Sequence, residues 1–231
     1  MSIKGYTWHM AILGVAGVLA MGSSCGTTSG GPPPPPAPPP ITVSAADPLG
    51  DTIPGAIGTV YDITNISMTR SAPVAGPRNT VSVTITFAQP VVIPPPGGSP
   101  TATTLAAIVG FDIDGNFSDG FTEGFCGPTG TYNNDEEIAM FNRLADGNYP
   151  IANKSGFNGE ATPFVSGNTI TFLLGLATIG GAPLSFDITA GNGPNPTDCA
   201  PNTGYLTENS VRVPLSTVRG VSRPWGPWKG H

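Results

Sequence analysis

Histidine is nearly missing from this sequence. Of 231 residues only two are His, and both stand at the margins, His9 and His231. An interior without imidazole excludes Ser-His-Asp and Cys-His nucleophilic machinery, and it excludes histidine-ligated zinc. Charge is scarce as well: Asp, Glu, Lys and Arg make up 10% of the chain, with a net charge of -6. Polyanion binding is dominated by basic surface, so nucleic acid is excluded as a partner. No Trp occurs between Trp8 and Trp225, so an aromatic platform in the body must come from Tyr or Phe. The apolar run over residues 10–21 (MAILGVAGVLAM) has twelve residues, short of the roughly 20 that a membrane-crossing helix needs.

Glycine and proline are abundant instead. There are 32 Gly and 27 Pro, a share that signals disorder when it is spread evenly. Here eight of the prolines fall within residues 32–40, and the rest of the chain contains stretches of alternating apolar residues. One folded domain with a proline-rich attachment fits this distribution.

Lys4, the apolar run and the small residues Gly22, Ser23 and Ser24 form a charged start, a short hydrophobic centre and a small-residue exit. That is the form of a secretory signal. Small residues leading into Cys25 resemble a bacterial lipoprotein processing site, which implies that Cys25 becomes a lipidated first residue. Gly22 stands where that pattern usually carries Leu, and cleavage after Gly22 to give a secreted protein is the alternative. Lipidation of Cys25 leaves Cys126 and Cys199 as an even pair for a disulfide in an oxidising compartment. That bridge would close a loop of 73 residues and contribute on the order of 4 kcal/mol by the chain-entropy model. The expected organisation is a signal peptide over 1–24, a lipidated cysteine with a Gly/Pro-rich spacer over 25–40, a folded domain over 41–215, and a flexible Trp/basic tail over 216–231. At about 3.1 Å per residue the nine positions of the polyproline stretch over 32–40 reach roughly 28 Å. The expected location is the bacterial cell envelope, at the outer membrane or cell surface, with the membrane itself a partner through the lipid.

The body reads as all-β. Val81, Val83, Ile85 and Phe87 alternate with Ser82, Thr84 and Thr86, a strict period of two that sends one face inward and the other to water. The same period recurs in Ile170, Phe172, Leu174 and Leu176, and in Leu184, Phe186 and Ile188 against Ser185, Asp187 and Thr189. Further strands are predicted near residues 61–70, 105–113, 137–144 and 209–215, while residues 135–142 also admit a short turn of helix. Turn-forming clusters over 94–100, 180–183 and 191–196 separate these runs. Short strands with long loops predict a single antiparallel β-sandwich, Ig-like or jelly-roll-like. Both Cys126 and Cys199 have turn-like surroundings.

Acidic residues are bunched. Seven of the fifteen lie between positions 112 and 137, and no Lys or Arg lies among them. Like charges this close either spread into solvent or gather around a cation. With Asp112 as position one, Asp114 is at three, Asn116 at five, Ser118 at seven and Glu123 at twelve, the oxygen-ligand positions of a calcium loop. Phe117 replaces the glycine expected at six, and a strand-like run precedes Asp112, so the loop is not an EF-hand. A calcium-binding loop at a sheet edge and a solvated acidic loop are the two readings.

The motifs Ala46-Asp47-Pro48-Leu49-Gly50-Asp51, Tyr61-Asp62-Ile63 and Phe111-Asp112-Ile113-Asp114-Gly115-Asn116 resemble the sandwich domains grouped with family nine carbohydrate-binding modules and DOMON-like domains. The resemblance implies a calcium-stiffened sandwich that binds sugars or presents a surface to a glycan or an envelope protein. Tyr132 and Tyr149 are then the candidate ligand-binding residues. The function expected is a non-enzymatic binding or structural module, with a carbohydrate-binding module as the alternative. A carboxylate-based glycoside hydrolase using Asp114 and Glu137 is the third reading.

Overall fold

The computed structural model describes residues 40–71, 80–116, 121–122, 133–180, 185–193, 195–202 and 205–207. These contain thirteen strands: β1 Ile41–Ala46, β2 Ile63–Arg70, β3 Thr80–Phe87, β4 Leu105–Asp112, β5 Phe121–Thr122, β6 Asn133–Asn134, β7 Glu136–Ala139, β8 Tyr149–Asn153, β9 Gly156–Ser166, β10 Thr169–Gly175, β11 Ser185–Asn192, β12 Asn195–Ala200 and β13 Leu206–Thr207. No helix occurs among the described residues. Residues 136–139, where a turn of helix was admissible, form β7, because their amides and carbonyls pair with β4 on one side and β8 on the other.

The expected all-β, antiparallel architecture is present, and it is built from one continuous sheet. The strand order is β1-β2-β3-β10-β9-β8-β7-β4-β11-β12, with β13 pairing to β11 and a separate β5–β6 ladder. The sheet curls on itself into a half-barrel. Strand β9 is the crease. Its residues 156–161 pair only with β8, and its residues 162–166 pair only with β10, so each half of this strand belongs to a different half of the fold. A register shift between Ile151 and Ala152 adds local twist at the same place.

The alternation read from the sequence sets the core. In β3 every second residue is buried, Val81, Val83, Ile85 and Phe87, and β10 contributes Ile170, Phe172 and Leu174 from the next strand. Fully burying such side chains is worth roughly 1.5–3 kcal/mol each. Together with Phe111, Phe186, Ile188 and others they form one apolar cluster enclosed by the curl. Edge-to-face contacts between Tyr61 and Phe87, and between Tyr149 and Phe172, put phenol rings into that cluster.

Strand β11 departs from expectation. Ser185, Asp187 and Thr189, predicted to face water, are buried, as is every residue of the strand. The polar side chains are tolerated there because they are bonded: Ser185 Oγ donates to Asp112 Oδ2 at 3.0 Å, and Asn134 Nδ2 donates to Asp187 Oδ1 at 3.4 Å. Cys199, expected in a turn, lies buried in β12 and is disulfide-bonded. Cys25, Cys126, Leu184, residues 209–215 and the tail lie outside the described residues.

The two ends of the sheet meet. Strand β12 lies against β2, and β13 lies against β1. No ladder joins β2 to β12. Side chains close this seam instead: Tyr61 N–H donates to Thr197 Oγ1 at 3.1 Å, Thr197 Oγ1 donates to the Tyr61 carbonyl at 2.8 Å, and Ile63 N–H donates to Asp198 Oδ2 at 2.6 Å.

Candidate metal centre

Two groups of three carboxylates each bring their ligand oxygens within 4.8 Å of one another, a spacing at which they can hold one metal ion. The first is Asp112, Asp114 and Asp135. The second is Asp47, Asp51 and Asp198.

The first group is assembled by the end of β4. Phe111 points into the core, so the period of two turns Asp112 to the other face, where it is 1% exposed. A turn with Gly115 at φ +78 follows, and it bends the chain so that Gly115 N–H donates to Asp112 Oδ1 at 3.0 Å and Asn116 N–H to Asp114 Oδ1 at 2.7 Å. Asp135 arrives from the neighbouring chain segment between β6 and β7. Its N–H donates to the Phe111 carbonyl at 2.8 Å, and its Oδ2 accepts from Ile113 N–H at 2.8 Å. Burial pushes the Asp112 carboxyl up from its ordinary range; the bonds from Ser185 and Gly115 pull it back in part, and the charges of Asp135 and Asp114 push it further up. A divalent ion would reverse those last two contributions.

Glu136 adjoins this group on the core side. It is 4% exposed, its Oε1 accepts from Asn153 Nδ2 at 3.1 Å and Asn158 Nδ2 at 2.8 Å, and its Oε2 is sealed without a hydrogen bond. Burial raises its carboxyl above the usual range, opposed by those two amides.

Of the five ligand positions predicted from spacing, the structure brings Asp112 and Asp114 together. Asn116 is exposed and contributes its backbone N–H to Asp114. Ser118 and Glu123 lie outside the described residues. Asp135 was missed, although it belongs to the acid-rich window, because it joins through the β4–β7 ladder and not through loop spacing. The tyrosine expectation is corrected at Tyr149: it is 0% exposed, in edge contact with Phe172, and offers no ring to a ligand. Tyr132 lies outside the described residues, and Tyr61 and Tyr205 are buried.

The second group sits at the seam. A turn at Leu49 and Gly50, with Gly50 at φ +85, reverses the chain after β1 and returns Asp51 toward Asp47. Ile53 N–H then donates to the Thr197 carbonyl at 2.7 Å, tying the turn to β12. Asn202 Nδ2 donates to Asp47 Oδ1 at 3.2 Å and also to Asp51 Oδ2. Asp198 is wholly buried, with both oxygens accepting backbone amides, from Ile63 and from Cys199. Burial pushes its carboxyl up to about 6; those two amides oppose the shift, and the charges of Asp51 and Asp62 add to it.

No protein-family model matches the chain, and no curated protein matches it as a relative.

Proposed function

We propose that this chain is an exported, lipid-anchored β-sandwich module of the bacterial cell envelope that acts by binding or displaying a surface and not by catalysis. A calcium ion at Asp112, Asp114 and Asp135 stiffens the loop that follows β4. The observation that carries this reading is the convergence of those three carboxylates from two separate chain segments. Three carboxylates and no imidazole make an all-oxygen donor set, which favours a hard cation. Asp114 is better used as a ligand than as half of an acid/base pair with Glu137, since its neighbours in the group are carboxylates as well. With Tyr149 buried, Tyr132 is what remains of the two candidate tyrosines for a glycan-binding role, so surface display or protein binding is the preferred form of the reading.

The cation is tested by thermal unfolding of the purified chain in millimolar calcium and then in chelator. Extracellular sites bind at about 0.1 to 1 mM, so calcium in ten- to hundredfold excess should stabilise by roughly 1.4 to 2.7 kcal/mol, which is about 3 to 10 °C for a domain of this size. Asp112→Ala with Asp114→Ala should remove the part of the shift that belongs to this loop; an undiminished shift would sink the assignment. The anchor is tested separately. The expressed protein should partition into the detergent phase, and Cys25→Ala should move it to the aqueous phase, since several acyl chains hold a protein where one binds only marginally. Equal partitioning of both forms would rule the anchor out.

A further inference from the structure

The carboxylates at the seam have no part in the reading above and share no residue with the Asp112 loop. Asp47, Asp51 and Asp198 converge there, and Asp62 stands beside them. Asp62 Oδ2 accepts from Gly50 N–H at 2.9 Å, one residue before Asp51, and its charge bears directly on Asp198. Asp62 is only 9% exposed, and its Oδ1 is shut away from solvent without making a hydrogen bond. Asp51 Oδ1 is shut away in the same manner. A carboxylate oxygen stripped of water and given no donor is costly, and the remedies are a cation or a proton. The charges that act on Asp198 come from Asp51 and Asp62, and both are negative.

We infer that Asp47, Asp51 and Asp198, backed by Asp62, form a second divalent-cation site, of the calcium class, which fastens the turn after β1 to β12. The donors are all carboxylate oxygens. Cys199, the neighbour of Asp198, is held in a disulfide and offers no thiolate, so a soft metal has nothing to bind. Magnesium keeps most of its waters and takes one or two carboxylates, whereas calcium accepts six to eight oxygens at flexible geometry and suits a group in which Asp47, Asp62 and Asp198 are buried and Asp51 reaches solvent. The ion would join residues 47 and 51 to residue 198 at the point where the curl is otherwise closed by side-chain hydrogen bonds and the backbone bond from Ile53 to Thr197.

The test is equilibrium dialysis of chelator-treated full-length protein against calcium chloride, with thermal unfolding in parallel. Three forms are compared: the unaltered chain, Asp112→Ala with Asp114→Ala, and that pair with Asp51→Asn added. The pair is expected to retain one calcium ion per chain and a calcium-dependent rise in Tm. Adding Asp51→Asn is expected to weaken that remaining binding by about tenfold or more, with the near-UV circular dichroism unchanged. If the pair binds no calcium while the unaltered chain does, the seam site is overturned and the Asp112 loop stands. If the pair binds calcium, and as much as the unaltered chain, the Asp112 loop fails and the seam site stands; if no form binds calcium, both fail. Calcium retained at unchanged affinity after Asp51→Asn overturns the seam assignment. Should that form not fold, Asp62→Asn in the same background decides by the same reading.

Discussion

Replacing Gly110 by alanine is expected to be among the most damaging single substitutions in the domain. A Cβ at this position would stand 1.8 Å from Asn134 Nδ2, 2.2 Å from Asn134 Cγ and 2.6 Å from Asp187 Oδ1. None of these atoms has room to retreat, because Asn134 is 0% and Asp187 5% exposed. Gly110 is therefore glycine for want of space: β4 passes directly beneath the Asn134–Asp187 contact. Overpacking a closed site costs about 1–3 kcal/mol and sometimes more. The buried polar pair would also be pushed out of bonding distance, so about 3 kcal/mol is expected here. That corresponds to a fall in Tm of roughly 6 to 12 °C for a domain of this size. Since Asn134 precedes Asp135, the same variant should also weaken the calcium binding proposed for the Asp112 loop. A Tm within about 2 °C of the unaltered protein would show that the β4–β11 face is looser than described.

The second large effect concerns two adjacent residues of β10. Phe172→Ala should cost about 3–5 kcal/mol, the usual price of emptying a buried aromatic site, because Phe172 is 0% exposed and supports the ring of Tyr149 at 6.3 Å. Leu173→Ala, one residue along, should change stability by no more than about 0.5 kcal/mol, because Leu173 is 53% exposed on the opposite face. In urea the Phe172 variant should show a lower midpoint at an unchanged slope. Comparable losses at both positions would mean that the face carrying Leu173 is covered in solution.

That pair also shows what could be read from the sequence. The period of two in β3 and β10 fixes which side chains are buried, because each strand has one wet face and one dry face. In β11 the period identified a strand but misplaced its polar half, since both faces of that strand are covered. Strand β9 (GFNGEATPFVS) has no period at all and contains Pro163; it is a strand because β8 and β10 each supply half of its partners. Strand β12 (NPTDCA) reads as a turn on composition. It is extended because Thr197 and Asp198 spend their side chains on the backbone of Tyr61 and Ile63.

The candidate sites divide along the same line. Asp112 and Asp114 were legible because a single residue separates two ligands on one turn. Asp135 enters through strand pairing, and spacing within a loop carries no information about a ladder. The seam group joins residues 47 and 198, which only the closing of the sheet brings together. Its motifs, Asp47 to Asp51 and Asp62, were visible as fragments, but nothing in the chain between them announces that they meet Asp198.

The seam also orders events in time. Strands β1, β2 and β3 are consecutive partners, so a chain made from its N-terminus can form this meander as soon as it is synthesised. The bonds that close the curl span 136 residues from Tyr61 to Thr197 and 135 from Ile63 to Asp198. Contacts so distant are slow to find, and the loop entropy is spent before they return anything. Until β10 and β12 arrive, the apolar side of the meander has no cover, and an unfinished chain presents sticky surface. A chain cut short before β12 would stay in that state, because the residues that complete its first strands are made 135 and 136 residues after the ones they bond.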